Sequence, residues 1–233
     1  PYSCIKIDIN EKTQDIIVEG LILGVQDDEI FFLNDEDVLC IYNMKDGKIR
    51  ETEHLDRESI EKAHNVTAWI NQHQVYYTEE KEGLCAQYVF DVDSEEKYTI
   101  AEALSRDSYS TFSEPFYIDK WVAVLAYSEN KIYIWDTEKK SMINQIEHEA
   151  IQSISGTYED RYLIYEIDDN TLGVIDMKGF KSYVIDIAAL TEQTGNPVEL
   201  WYMEGDYLYA QNICDWAIDD DKPDEFYRIN FKK

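Results

Sequence analysis

Carboxylates are the side chains in this chain whose type and spacing are most suited to chemistry. They form short runs, of which Asp168-Asp169 and Asp219-Asp220-Asp221 are examples. Adjacent carboxylates attract cations, either a metal ion or the basic side chains of a protein partner. A calcium loop supplies its oxygens from alternating Asp or Asn residues around a glycine, and neither run has that spacing. The pattern favours a protein partner with a basic surface. Calcium is the lesser alternative, and no other cofactor is predicted.

Three tryptophans are candidate contact residues. Trp216 lies beside Asp215 in a segment that also holds the triple aspartate, and an exposed ring within negative charge suits protein binding. The alternative is that this segment folds back and buries Trp216. Trp69 and Trp201 both precede a repeated position, at 75 and 207, by six residues. An indole there would bind a small ligand in a central channel or pack between neighbouring sheets.

Other site chemistries lack a motif in this sequence. It contains no G-x-S-x-G, G-x-G-x-x-G, P-loop or H-E-x-x-H pattern, which argues against several common enzyme classes. The cysteines form no C-x-x-C pair and have no histidine at metal-ligand spacing, which argues against zinc. Their apolar neighbours predict buried strand residues, and their disulfide state stays open: they are Cys4, Cys40, Cys85 and Cys214.

Composition and hydropathy argue against nucleic acid as a partner and against membrane insertion. With 49 acidic and 21 basic side chains the formal charge is 21 − 49 = −28, which argues against nucleic acid, because its ligands normally present basic surfaces. No apolar run approaches the ~18 residues of a membrane-spanning helix, so no membrane insertion is predicted. Hydrophobic residues make up 44% of the chain and aromatic residues 13%, which predicts a packed core in spite of the charge.

The elements that must position these residues are repeated. A polar turn residue, a spacer and an apolar-aromatic run recur five times, and the third residues of the copies, at 30, 75, 121, 162 and 207, are 45, 46, 41 and 45 residues apart. A second unit with a polar centre follows each copy: Tyr42-Asn43-Met44, Phe90-Asp91-Val92, Trp135-Asp136-Thr137, Ile175-Asp176-Met177 and, more loosely, Tyr227-Arg228-Ile229. A β-type run also precedes the polar turn, as in Val66 to Ile70 and Val198 to Tyr202, and another follows a short polar turn after the second unit. Each period therefore holds four strands.

Four-stranded units at this period predict an all-β fold, a β-propeller of four-stranded antiparallel blades. A β-sandwich is the alternative, but it does not require a regular period. The repeats predict a single domain of about five blades, near 20–54, 65–103, 111–148, 151–190 and 197–233, with N-terminal closing strands within 2–19. Six blades would result if upstream strands were missing, because a propeller closes its ring to protect sheet edges.

The repeats resemble those of known propellers. The stretch from Ile132 to Lys140 is similar to the strand and turn of WD-repeat and quinoprotein-type propellers, and the stretch from Asp28 to Asn34 is similar to blades of periplasmic Tol-type propellers. The resemblance covers nearly the whole chain, and it consists of a degenerate consensus for the strands and turns of a blade. It departs from the WD-repeat pattern, because only one Trp-Asp pair ends a blade strand at the expected place and no Gly-His pair is present. It implies a β-propeller fold.

In a four-stranded blade, the connection between the second and third strands and the crossover to the next blade emerge on one face. The hairpins expected there are acidic: Asn34 to Asp37, Glu79 to Glu82, Ser128 to Asn130, Asp168 to Asn170 and Asp215 to Pro223. We therefore predict a non-enzymatic recognition propeller that binds a protein or other ligand through an acidic loop face. The alternative is a carbohydrate-active or other hydrolytic propeller that uses rim carboxylates in a central pocket.

Two further expectations follow from the repeat. Asp28, Asp119, Asp160 and Gly205 should lie in equivalent turns between first and second strands. The second-strand residues should be largely buried: Ile30, Val75, Val122, Leu163 and Leu208.

The protein is expected outside the cytoplasm or at the cell surface, with the cytoplasm as the alternative. Asn65-Val66-Thr67 matches a glycosylation acceptor.

Overall fold

The structure, a computed structural model of the 233-residue chain, describes residues 3–8, 13–58, 68–105, 111–148, 150–194, 198–212 and 226–232. Its regular structure is almost all β-strand, as expected for alternating runs rich in Val, Ile, Tyr and Phe. The chain divides into two compact units, Pro1–Phe112 and Ser113–Lys233.

The described part of the first unit contains three antiparallel sheets. A two-stranded sheet pairs β1 (Ser3–Asp8) with β2 (Thr13–Glu19). Two four-stranded sheets follow in chain order. Their strands are β3 (Leu21–Gln26), β4 (Glu29–Leu33), β5 (Val38–Asn43) and β6 (Ile49–His54), then β7 (Trp69–Asn71), β8 (Gln74–Lys81), β9 (Leu84–Asp91) and β10 (Glu96–Ser105).

The second unit continues the same pattern. In the described residues of this unit, two sheets have four strands and a third has three, again in chain order. Their strands are β11 (Phe116–Ile118), β12 (Trp121–Ala126), β13 (Lys131–Asp136) and β14 (Ser141–Glu147), then β15 (Ser153–Tyr158), β16 (Tyr162–Asp168), β17 (Thr171–Asp176) and β18 (Lys181–Asp186), and finally β19 (Val198–Glu204), β20 (Tyr207–Asn212) and β21 (Phe226–Asn230). A helix, α1 (Ala188–Thr194), follows β18. These sheets are the antiparallel blades that the repeat predicts, and each is named below by its strands.

The predicted turns are confirmed, with one correction of register. Asp28, Asp119, Asp160 and Gly205 all lie between the first and second strands of their blades. Strand pairing, however, aligns residues 29, 74, 121, 162 and 207, which face 43, 91, 136, 176 and 230 on the third strands. The first two copies were therefore placed one residue too late. The last second unit is Ile229-Asn230-Phe231, not Tyr227-Arg228-Ile229, because pairing rather than local composition decides the register.

The polar residue that ends each third strand has a structural role. In Asn43, Asp136, Asp176 and Asn230 the side-chain oxygen accepts a backbone N–H two residues later, at 2.9 to 3.2 Å. Asp91 accepts the N–H of Ser94 at 2.9 Å. Such bonds hold the tight turn that follows the third strand, which explains why the second unit recurs.

Alternate residues of the second and third strands pack against neighbouring blades. Within the second unit, Leu163 and Tyr165 pack with Ile134 of blade β11–β14, whereas Tyr162 and Ile164 on the opposite face pack with Leu208 of blade β19–β21. The expected burial of the five second-strand residues is confirmed, since each is at most 1% exposed. Period-two alternation with both faces apolar is what a strand needs when sheets cover it on both sides.

Candidate functional site

Blade β15–β18 has two chemically different ends. At the loop end lie the β16–β17 connection, the start of β15 and the end of β18 with helix α1; these are residues 150–155, 164–173 and 184–194. At the turn end lie the β15–β16 and β17–β18 hairpins, within residues 156–163 and 174–183. Antiparallel pairing of successive strands places these two sets at opposite ends of the sheet.

A cleft of about 420 Å³ opens at the loop end of this blade. Its lining is polar and carries three carboxylates: the residues are Gln152, Asp168, Asp169, Asn170, Thr171, Asp186 and Ala188. The cleft therefore brings together the β16–β17 hairpin, the residue before β15 and the crossover after β18.

Backbone bonds hold the cleft carboxylates in place. The Ile187 N–H donates to the Asn170 carbonyl at 2.7 Å, which fixes the crossover against the hairpin. The Asp168 side chain accepts the N–H of Asn170 at 2.9 Å, and the Asp186 side chain accepts the N–H of Ala188 at 2.8 Å. Each bond uses one carboxylate oxygen, and the second oxygen takes no part in the turn. Preformed turns of this kind reduce the entropy cost of binding a partner.

The charges of this blade are segregated between its ends. The loop end holds five acids and, within the residue ranges given above, no lysine or arginine; the acids are Glu166, Asp168, Asp169, Asp186 and Glu192. The turn end holds three acids and three bases, and the bases are Arg161, Lys178 and Lys181. The loop end is therefore formally −5 and the turn end neutral, so the negative potential of the blade is concentrated at the cleft.

At the turn end, the carboxylate of Asp176 is used internally. Arg161 binds Asp176 through two nitrogens, Nε at 2.9 Å and Nη2 at 2.5 Å. The hydrogen bonds from Arg161 lower the pKa of Asp176, and the same pairing raises the pKa of Arg161. A partner gains little from a carboxylate that is already paired, so this end is a poor cation site.

The other described loop-end hairpins differ because each holds a cation of its own. Arg57 binds Asp37 at 2.8 Å, and Lys97 binds the buried Glu79 at 2.8 Å. Lys131 binds Glu129 at 3.4 Å. These internal pairs reduce the charge available to a partner, which singles out the cleft of blade β15–β18.

Some of the predicted site residues line the cleft, and others lie outside the described residues. Asp168 and Asp169 line the cleft, and both are exposed. Trp216, Asp219, Asp220 and Asp221 lie between β20 and β21, outside the described residues. Asn65-Val66-Thr67 and Cys214 also lie outside them. Cys40 and Cys85 are buried free thiols, as predicted for strand residues, and burial raises the pKa of the Cys40 thiol.

The predicted equivalence of Trp69 and Trp201 is wrong by one residue. Trp69 pairs with Tyr76, two residues after Gln74. The corresponding pair in the last blade joins Tyr202 to Tyr209, two residues after Tyr207, because the position of blade β7–β10 that aligns with Tyr207 is Gln74 and not Val75. Trp201 itself lies at a register shift of β19, between Leu200 and Tyr202, where a bulge adds a residue to the strand.

Sequence reasoning missed three polar residues that line the cleft, Gln152, Thr171 and Asp186. Asp186 is an isolated acid after an apolar run, and only its pairing with Thr171 brings it beside the hairpin. Its position at the end of a fourth strand was the available signal. Among the residues that the structure describes, no three His, Cys, Asp or Glu side chains are grouped so as to hold a metal ion, and in the same residues no helix is long and apolar enough to cross a membrane.

Comparisons with known proteins address the fold. No protein-family model matches the chain, and no curated protein matches its sequence. Among solved structures, the chain is similar to an oligogalacturonate lyase in complex with manganese, with 11% identity and a TM-score of 0.50 over 99% of this chain and 68% of that one. It is also similar to a chain of the mitotic checkpoint complex (12% identity, TM-score 0.42, 89% and 65% covered) and to BamB from Moraxella catarrhalis (12%, 0.42, 86% and 57%).

The chain has the β-propeller fold. The lyase structure supports this together with the blade-like sheets and their strand order. At such low identity the likeness reports the fold alone, because one fold carries many unrelated functions. This propeller chain spans 57 to 68% of the compared structures.

Proposed function

We propose that this chain is a non-enzymatic recognition propeller that binds a basic segment of a protein partner in the cleft of blade β15–β18. One observation carries the proposal: three carboxylates line the cleft, and the described loop end of that blade contains no lysine or arginine. A lysine or arginine side chain that entered the cleft would donate charge-assisted hydrogen bonds to Asp168, Asp169 and Asp186.

The charge of the whole chain supports the same function. A formal charge of −28 attracts basic partners over a distance and accelerates their encounter, whereas the cleft provides the local complementarity. The proposal extends to Trp216 and Asp219 to Asp221 as further contacts, with Trp69 and Trp201 as candidates for a small ligand. A location outside the cytoplasm stays a prediction.

The test uses a fluorescein-labelled peptide of alternating lysine and serine, with an alternating glutamate and serine peptide as the reference, and fluorescence anisotropy at 50 mM NaCl. We expect the basic peptide to bind and the double variant Asp168→Asn, Asp169→Asn to bind it at least about fivefold more weakly, since two charge-assisted contacts are lost. Asparagine keeps the side-chain oxygen that accepts the turn N–H, so the hairpin is retained.

The matched control is the double variant Asp119→Asn, Asp160→Asn. Both residues are exposed and lie in turn-end hairpins, and the change in net charge is the same. An equal loss of affinity in the two double variants would show attraction by overall charge only. Unchanged affinity in the cleft variant would show that the peptide binds elsewhere, and either result contradicts the proposal.

The geometry of the cleft favours recognition over the hydrolytic alternative. A carbohydrate-active site would place two converging carboxylates beside an aromatic ring that stacks on the sugar. None of the seven residues that line the cleft is aromatic.

A further inference from the structure

The turn ends of the last two blades are joined by a group of ion pairs and aromatic contacts around Lys232. We propose that Phe231 and Lys232 form an electrostatic clasp that holds blade β19–β21 on blade β15–β18, and that this blade opens as a local unit when the ion pairs are screened. The inference is independent of the proposed binding function.

The ammonium group of Lys232 bridges the two blades. Its Nζ lies 2.5 Å from Asp206 Oδ1, in the β19–β20 turn of its own blade. The same Nζ lies 3.3 Å from the hydroxyl of Tyr162 and 3.7 Å from Asp176 Oδ2, and both of these residues belong to blade β15–β18. One cation therefore shares its bonds between two sheets that no backbone hydrogen bond of their strands joins.

On blade β15–β18, the carboxylate near Lys232 is held in place by another residue of the same blade. Arg161 binds Asp176 through two nitrogens, which fixes the carboxylate toward which Lys232 points. The hydrogen bond from Lys232 to Asp206 raises the pKa of Lys232, so the ammonium stays charged well into the alkaline range. Charge-assisted bonds of this kind are stronger than neutral ones.

The neighbouring Phe231 provides the apolar part of the clasp. Its ring packs edge-on against Tyr162 and Tyr183, with centroids 5.5 Å apart in both cases. The side chain is 7% exposed and belongs to the core that the two blades share. At the same end, the Gly205 N–H donates to Glu159 at 3.0 Å, which adds a second polar link between the blades.

Equivalent ion pairs in blade β11–β14 do not cross between blades. There Lys139 pairs with Asp136 at 3.3 Å and Lys120 pairs with Glu138 at 3.1 Å, and all four residues belong to that blade. Asp136 and Asp176 occupy the same position in the repeat. The bridging cation is therefore a local feature of Lys232, and Lys139 provides a matched comparison.

Salt should open the clasp because its ions are only partly shielded from water. The Lys232 side chain is 23% exposed and that of Asp206 is 49% exposed, so mobile ions reach the pair and screen it. Among the described residues, Lys232 pairs with Asp206 of its own blade and with Asp176 of blade β15–β18, and Arg161 binds Asp176.

The test measures hydrogen exchange by mass spectrometry on the full chain, and compares peptides from β19–β21 with peptides from β11–β14. The variant Lys232→Met keeps an unbranched side chain of similar length and removes the ammonium group, which lies 5.6 Å from the Tyr162 ring centroid and 5.7 Å from that of Phe231. At 50 mM NaCl we expect exchange in β19–β21 to accelerate about tenfold and exchange in β11–β14 to change less than about twofold. The control Lys139→Met should leave exchange in β19–β21 unchanged.

A second form of this exchange experiment varies the salt concentration and needs no variant. In the wild-type chain, 1 M NaCl should accelerate exchange selectively in β19–β21, and the same salt should have no further effect on Lys232→Met. Unchanged exchange in β19–β21 on removal of the charge or on addition of salt would overturn the clasp. Equal acceleration in both blades would also overturn it, because the opening would then be global.

Discussion

Single residues with the same place in the repeat perform different tasks in different blades. Asp136 and Asp176 both end a third strand and both accept turn N–H groups. Asp136 pairs with Lys139 of its own turn, whereas Asp176 receives two bonds from Arg161 and lies near Lys232. A position that serves turn formation throughout the chain thus also links blades at one site.

The ion pair of Asp176 should make the free energy of unfolding fall at low pH, and we call this part of the pH profile the acid limb. Its pKa is lowered in the folded chain, so its contribution is fully present above the ordinary value near 3.8 and is lost as the pH falls through the lower folded value. We expect Asp176→Asn to lower the free energy of unfolding at pH 7 by about 1 to 3 kcal/mol, because Arg161 loses a charged partner. Urea titrations from pH 2 to pH 7 should show a weaker pH dependence in the variant. An unchanged acid limb would contradict this assignment.

Leu163 tests the burial that the repeat predicts. The side chain is fully buried between two blades, so Leu163→Ala should lower the free energy of unfolding by about 2 to 5 kcal/mol. The control Val184→Ala changes a side chain that is 60% exposed and should cost less than about 0.5 kcal/mol. Similar losses in urea titrations of the two variants would argue against the packing described for β16.

At the scale of elements, β16 and β17 approach each other through a glycine. A Cβ atom added to Gly173 would overlap the ring of Tyr165, which pairs with it across the strands. The Tyr165 ring is almost fully buried, and its hydroxyl lies 3.1 Å from Ser182 Oγ. The small residue therefore lets a large ring lie flat over the neighbouring strand.

Gly173→Ala should lower the free energy of unfolding by about 1 to 3 kcal/mol, since it overpacks a closed core. The double variant Gly173→Ala, Tyr165→Leu should lose less than the sum of the two single variants, because the smaller side chain makes room for the new methyl group. Thermal and urea unfolding of the four proteins completes the cycle. Strictly additive losses would show that Tyr165 is not the group that excludes a side chain at 173.

At the scale of the whole molecule, a charge of −28 should accelerate the encounter with the basic partner that we propose. Ionic strength should therefore act mainly on association. Between 50 and 200 mM NaCl we expect the association rate of the lysine and serine peptide to fall by about tenfold, and its dissociation rate to change much less. Stopped-flow anisotropy measures both rates. A dissociation rate that responds more strongly than the association rate would place the charge effect in the bound state instead.

Much of the architecture could be predicted from the sequence because its signals are local. Four strands in each period, turns at polar residues and buried second strands all depend on neighbours within a few residues. The Asp168-Asp169 run was a visible candidate for the same reason, since hairpins concentrate polar side chains. These features needed no knowledge of which strands pair.

Strand pairing and tertiary packing determined the features that the sequence did not predict, namely the exact strand register and the composition of the cleft. The one-residue shift at positions 29 and 74 and the register change at Trp201 arise between strands, where hydrogen bonds join residues that local composition cannot match. Asp186 joins Asp168 in the cleft only because β17 pairs with β18 and the crossover bonds back to the hairpin. The sequence alone determined that carboxylates and strands recur, and tertiary structure determined which carboxylates meet and which are already paired, because both depend on contacts between residues distant along the chain.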